Sequence, residues 1–308
     1  MTRSIIVFGS INLDLVARVP HLPKPGETLS GYSFVTVPGG KGANQAVGSA
    51  KLGGSTRMIG RVGGDAFGEE LLKSLQDSGV QTALVMVDRS ISSGVAMIAV
   101  DDRSENHIIV IPGANGNVDE SDLEKLQSTL TNSSILLLQL EIPIAIVELA
   151  AAIAHQIGAI VILDPAPAPT NFPNSLYPLI DILTPNAIEA AQLVGFPIEN
   201  ESDVDRAATV LQQKGAKTIV IKLGSQGAFC ATERERFLTP AFSVNAIDTV
   251  AAGDAFNAGL AVALSEGLQI REAMTWGAAS GALSTTKSGA QTSLVDRSTF
   301  DQFLKQKP

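Results

Sequence analysis

The stretch Ile135-Leu136-Leu137-Leu138-Gln139-Leu140-Glu141, followed by Ile144 to Gln156 and then by Ile160-Val161-Ile162-Leu163-Asp164, decides the architecture of this chain. Two short, continuous apolar runs flank a segment long enough for a helix. Short apolar runs of this kind suit strands buried on both faces. The pattern extends outward on both sides. Ser121 to Leu130 reads as a helix before it; after it come a strand at Asp181–Leu183, helices at Ala187–Leu193 and Asp203–Lys214, a strand at Thr218–Lys222 and the apolar run Ala228–Ala231. Alternating strands and helices imply a doubly wound, mostly parallel sheet with helices on both faces. Ligands of such sheets lie beyond the carboxyl ends of the strands.

Toward the N-terminus, Ile5–Phe8 is another buried strand, ending at Gly9-Ser10. Beyond it Asn12 and Asp14 alternate with Leu13 and Leu15, so on a strand both polar side chains share one face. Pro20 to Glu27 is turn-rich, and β character resumes from Ser30 to Val37. A strand at Thr56–Val62 and a helix at Phe67–Ser78 follow. Val85–Val87, Gly94–Val100 and Asn106–Ile111 are β runs, with a turn at Asp101-Asp102-Arg103 that predicts a hairpin. These runs are expected to join the Ser30–Val37 strand in an extra sheet outside the main fold.

The 308 residues are expected to form one α/β domain, with the extra strands inserted at about 12–37 and 94–111. With 45% hydrophobic residues, 17% charged and 28 glycines, the composition is that of a globular chain. A net charge of −9 argues against nucleic-acid or anionic-membrane surfaces, which need a basic face, so an anionic ligand must be met locally. The lone Cys230, in an apolar run, excludes an internal disulfide, and three scattered histidines offer no zinc-type cluster. A cytoplasmic setting is expected. The N-terminus lacks an apolar leader, and no run of about 18 apolar residues occurs.

Chemistry-bearing residues gather at the predicted strand ends: Glu141; Asp164; Thr184-Pro185-Asn186 with Glu189; and Leu223-Gly224-Ser225-Gln226-Gly227. Asn186 is equally an N-cap candidate, with Glu189 at the capping-box offset. Pro38-Gly39-Gly40-Lys41-Gly42-Ala43-Asn44-Gln45 is a glycine-rich turn opening a helix. It is not a Walker A loop, because Gly42 stands where a magnesium-binding hydroxyl is required. Its backbone N–H groups and the Asn44 amide suit the hydroxyls of a polyol. In Asp248-Thr249-Val250-Ala251-Ala252-Gly253-Asp254, small residues precede a helix, and the free N–H groups of a helix start favour an anion. Asp254 is then either a helix-start acid or a base beside a phosphoryl group.

Taken together and in this order, Gly9 to Asp14, Gly39 to Ala46, Gln139 to Glu141, Asp164 to Ala168, Thr184 to Glu189, Leu223 to Gly227 and Asp248 to Asp254 resemble the ribokinase-like carbohydrate kinases over almost the whole chain. The resemblance implies an ATP-dependent kinase acting on the 5-hydroxyl of D-ribose, with a small β-sheet lid through which two subunits pair. It implies sugar contacts from Asn12, Asp14, Gly40, Lys41, Asn44 and Glu141, with apolar contacts from Ala96 and Ile111. Asp254 would be the base, and Ala251, Ala252 and Gly253 the anion hole. Asn186 and Glu189 would organise Mg²⁺ and phosphates, and Lys222 to Gly227 would form the nucleotide loop. Asp248, Val250, Ser284, Lys287, Gly289 and Ser293 would form a K⁺ site. Two positions depart from the family: Lys222 often has threonine as its counterpart, and Ala278 stands where an imidazole or amide often lies near adenine. Both bear on the nucleotide donor. The alternatives are a kinase for 2-deoxyribose, another sugar or a nucleoside, and a catalytically silent sugar-binding regulator. A dinucleotide-binding oxidoreductase is excluded, because no Gly-x-Gly-x-x-Gly follows the first strand.

Overall fold

The computed structural model describes residues 2–103 and 105–306; Met1, Ser104, Lys307 and Pro308 lie outside the described residues. A nine-stranded sheet runs, edge to edge, Arg236–Thr239, Ala228–Ala231, Thr218–Lys222, Ile182–Leu183, Ile160–Leu163, Ile135–Leu138, Ile5–Phe8, Thr56–Gly63 and Gln81–Asp88. Every pairing is parallel except those made by Ala228–Ala231, which is antiparallel to both neighbours.

The alternating sides of each central strand feed two separate cores. Ile5, Val7, Ile135 and Leu137 pack on one face with helices Lys41–Lys51, Ala252–Ser265 and Ile270–Ser284. Ile6, Phe8, Leu136 and Leu138 pack on the other with Glu120–Thr129, Ile144–Ile157 and Glu201–Gln213. Burial on both faces is why these strands read as unbroken apolar runs. Where Ala252–Ser265 meets Ile270–Ser284, a Cβ on Gly259 would lie 2.7 Å from the Trp276 carbonyl, so only glycine lets the helices approach this closely. Trp276 itself is half-buried against the core, its ring centroid 4.9 Å from that of Phe300 with the two planes tilted by 58°.

The order reverses at the first strand. Ile5–Phe8 pairs with Thr56–Gly63 on one side and Ile135–Leu138 on the other, so the connections leaving these two strands diverge to opposite faces and open a crevice at their carboxyl ends. Ser10 and Gln139 to Glu141 stand at that crevice.

A second, four-stranded sheet has the order Ser33–Gly39, Asn12–Arg18, Gly94–Val100, Asn106–Ile111. The expected hairpin is present, but it joins through Asn12–Arg18 and not through Ser33–Gly39. The Val85–Val87 run belongs elsewhere. It lies in Gln81–Asp88, the edge strand of the large sheet, paired with Thr56–Gly63. Its half-buried alternation is shared by edge strands of either sheet, so periodicity could not assign it. Among the described residues no helix is long and apolar enough to cross a membrane.

Candidate active site

Asp254 sits in the first turn of Ala252–Ser265. The residue before the helix, Ala251, is held left-handed at φ 58°, the one such non-glycine residue among those described. No side chain caps this end. The Ala252 amide turns back to the Thr249 carbonyl at 3.2 Å, so the Gly253 amide is the one that faces outward, with the positive end of the dipole behind it.

The Asp254 carboxylate is buried and held at both oxygens: Asn44 Nδ2 donates to Oδ2 at 3.0 Å and Gln45 Nε2 donates to Oδ1 at 3.0 Å. Burial raises its pKa; Lys41 and the two amide donors oppose that rise, and Asp164 adds to it. Asn44 and Gln45 come from the helix Lys41–Lys51, which starts after Gly40 at φ 87°. A side chain at that φ would be strained and would also meet the Asn12 amide at 2.7 Å.

Glu141 closes the other side of the crevice. Ser10 Oγ donates to its Oε2 at 2.6 Å and the Lys41 amide donates to the same oxygen at 3.0 Å. Asp14 stands over Gly39, where an added Cβ would fall 2.7 Å from the carboxylate. Burial, then the charges of Glu141 and Asp254, push the Asp14 carboxyl up to about 7. Burial by itself would disfavour the Lys41 ammonium, but Asp254, Asp164, Glu141 and Glu189 hold it protonated well above the usual range.

Asn12 is buried and its Oδ1 accepts from Asn115 Nδ2 at 2.7 Å, while Asn115 is itself tied to both the N–H and the carbonyl of Ile11. Asn115 thereby fixes the Asn12 amide with its NH₂ end left for a ligand. Strand register sorts the apolar candidates. Asp14 pairs with Ala96, and Ala96 pairs with Val110, so these three share one face. Ile111 pairs with Val95 opposite Leu13, on the other face. Val110 therefore occupies the place expected of Ile111, since one residue along a strand reverses the side chain.

At the neighbouring strand ends, Asn186 and Glu189 form a reciprocal capping box, with both bonds at 2.8 Å. Burial and Asp164 raise the Glu189 pKa against the opposing pull of Lys222. Asn186 is bridged to Lys222, whose ammonium reaches across to Asp164 Oδ1 at 2.9 Å. A Cβ on Gly253 would lie 3.1 Å from the same ammonium, so Lys222 stands against the helix start beside Asp254. After Lys222 the chain turns through Leu223 to Gly227, with Gly224, Ser225 and Gln226 exposed. Ala278, buried on Ile270–Ser284, precedes by one turn Gly281, where an added Cβ would lie 3.2 Å from the Ala252 carbonyl.

Behind the helix start, Asp248 accepts from the amides of Val250 at 3.0 Å and Gly289 at 2.9 Å. The Thr285 carbonyl accepts from Ile247 and Asp248. Ser284 and Ser293 spend their hydroxyl protons on local carbonyls, which leaves their oxygens as acceptors. Lys287 is exposed at the rim. Among the described residues no group of three or more His, Cys, Asp or Glu is placed to hold a metal. A hard monovalent cation between these loops would rely chiefly on carbonyl and hydroxyl oxygens, a donor set that fits it.

The sequence missed how the buried polar residues connect. Gln45, Gln139 and Asp164 form one chain behind Asp254, and Asn115 braces Asn12. The available signals were Gln139 ending an apolar strand and Gln45 beside Asn44.

A helix start, a buried carboxylate and two lysines converging at the carboxyl edge of a doubly wound sheet define a site built to join a polyol to a phosphorylated donor. A family model, pfkB family carbohydrate kinase, matches residues 2–297, and the chain belongs to that family. A ribokinase of Haemophilus influenzae is 40% identical over 305 residues, 99% of each protein. A deoxyribokinase of Salmonella typhi is 35% identical over 97% of this chain and 98% of that protein. The structure of Arabidopsis thaliana ribokinase complexed with ribose and ATP superposes with a TM-score of 0.92 at 34% identity, covering 99% of both chains.

Proposed function

We propose that this chain transfers the γ-phosphoryl group of ATP to the primary 5-hydroxyl of D-ribose, with Asp254 taking the hydroxyl proton. The observation that carries this is the buried Asp254 carboxylate, clamped by Asn44 and Gln45 at an uncapped helix start. Phosphoryl transfer asks mainly for alignment and for donors facing the transferred group. Asn12, Asp14, Gly40, Lys41, Asn44 and Glu141 hold the sugar hydroxyls, with Ala96 and Val110 against its apolar edge. As the oxygen attacks phosphorus, its proton passes to Asp254 and the bond to the departing ADP oxygen breaks. The outward amide of Gly253, beside Ala251 and Ala252, meets the charge of the transferred group. A well-placed base contributes on the order of 10²–10⁴ in rate.

Lys222 to Gly227, with Ala278, take the nucleotide. Asn186 and Glu189 face the phosphates, where a bound Mg²⁺ would neutralise phosphate charge. Asp248, Val250, Ser284, Gly289 and Ser293 are the seats for K⁺, with Lys287 at the rim. The small sheet acts as a lid. Phe34, Met97, Ile109 and Ile111 are exposed on one of its faces, and Val35, Ile108 and Val110 on the other. Apolar exposure on that scale supports a homodimer formed through the lid. A single, buried, free Cys230 suits a reducing cytoplasm.

The 35% identity to a deoxyribokinase supports 2-deoxyribose as the second reading. ADP release measured across pentoses, hexoses and nucleosides, with and without K⁺, tests the proposal. D-Ribose is expected to give the highest kcat/KM. A preference for 2-deoxyribose or a nucleoside would reassign the substrate, and no turnover on any sugar would leave only a sugar-binding role.

A further inference from the structure

Behind Asp254 lies a line of buried side chains. Gln139 Nε2 donates to Gln45 Oε1 at 2.7 Å; Gln45 Nε2 donates both to Asp254 Oδ1 at 3.0 Å and to Asp164 Oδ2 at 3.2 Å; Asp164 Oδ1 takes the Lys222 ammonium at 2.9 Å. Gln45 and Gln139 are fully buried and Asp164 is 2% exposed. Gln45 has a single amide carbon to orient. Because Gln139 occupies its oxygen, the nitrogen is obliged to face the two carboxylates.

We propose that Gln45 is a positioning residue for phosphoryl transfer, one amide that aims the Asp254 carboxylate at the sugar hydroxyl and sets the place of Lys222 through Asp164. This rests on the reading of Asp254 as the base. Gln45 is too deeply buried to meet substrate. Its N–H donor favours the ionised form of Asp254, and its second hydrogen bond keeps Asp164 turned toward Lys222. Around Asp254 the other charged groups are Lys41, Asp164, Asp14 and, against the helix start, Lys222, so the amide is the neutral member that lets two buried carboxylates share one neighbour. Gln139 acts one step further back, as the anchor of Gln45.

The test uses the full chain with Gln45→Met, Gln139→Met and Asp254→Asn, assayed by ADP release against pH. Gln45→Met is expected to lower kcat roughly tenfold to a hundredfold, the effect of one hydrogen bond to a charged group. KM for sugar and ATP should stay within about threefold, as for an interaction made only on the way to the transition state. The acid limb of kcat should move upward by about one unit, since losing the donor makes Asp254 hold its proton more tightly. Gln139→Met should shift the same limb in the same direction and by less, and it carries the test if Gln45→Met does not fold. An unmoved acid limb with kcat within twofold in a folded variant, or a loss confined to KM, overturns the proposal. Near-native activity of Asp254→Asn would instead remove the base assignment itself, whatever Gln45 does.

Discussion

Lys222 and Asp164 meet at 2.9 Å across the end of the intervening strand Ile182–Leu183, with the Asp164 side chain 2% exposed and that of Lys222 13%. The same ammonium stands against Gly253, so one cation serves a buried carboxylate on one side and the helix start on the other. Removing one partner of a buried pair leaves the other charge uncompensated. Lys222→Met is expected to destabilise the fold by about 3–5 kcal/mol. Adding Asp164→Asn should recover most of that loss without restoring kcat. Thermal unfolding and turnover of the two single variants and the double variant check this; a double variant no more stable than Lys222→Met would refute the pairing.

Asp254→Asn keeps the shape of the side chain and removes its basicity. Turnover is expected to fall by about 10²–10⁴ while the sugar dissociation constant and the melting temperature stay near their original values. Calorimetric sugar binding alongside the rate assay separates the two.

Asp14 has its pKa raised from 3.8 to about 7, by burial first and by Glu141 and Asp254 next. Between those values the native chain holds a proton that the unfolded chain has released. The contribution of Asp14 to stability is therefore fully present below the unfolded value and is lost as pH rises through about 7. Its ionised form is the better acceptor for sugar hydroxyls, so affinity for the sugar should rise over the same interval. Asp14→Asn should flatten both trends, as followed by melting temperature and sugar binding against pH.

Ala251 carries a left-handed φ of 58°. That conformation costs an ordinary residue roughly 1–2 kcal/mol, and glycine offsets part of the relief by about 0.5–1 kcal/mol of backbone entropy. Ala251→Gly is expected to stabilise the chain by up to about 1 kcal/mol, read as a rise in denaturation midpoint. A clear loss of stability would show that the conformation is unstrained.

Asp248 laces Val250 to Gly289 just behind the helix start. Asp248→Ala should loosen both loops and weaken the dependence of activity on K⁺. Titrating K⁺ into enzyme held in a large organic cation would show a higher half-saturating concentration. Identical K⁺ curves for the two proteins would separate Asp248 from cation activation.

Much of the fold is legible in the residue order because the central strands are buried on both faces. Ile160–Leu163, Thr218–Lys222 and Ala228–Ala231 fall where the apolar runs place them. The capping box at Asn186 and Glu189 is local chemistry across three residues, and it too is visible in the sequence. The resemblance of two glycine-rich segments to a kinase family carries the class of the protein, as the family match over residues 2–297 bears out. The edge strand Gln81–Asp88 belongs to the large sheet and not to the small one expected for it, because a half-buried alternation fits either.

The sequence by itself determined the layered sheet, the positions of the polar strand ends and the family, since each depends on periodicity or on contiguous residues. Only the tertiary structure decided which side chains meet. Gln45 and Asp254 are 209 residues apart, Gln45 and Gln139 are 94 apart, and Asn12 and Asn115 are 103 apart. Val110 rather than Ile111 faces with Asp14 for the same reason: strand register is a relation between segments, and a single step along the chain reverses the side chain without changing its residue type.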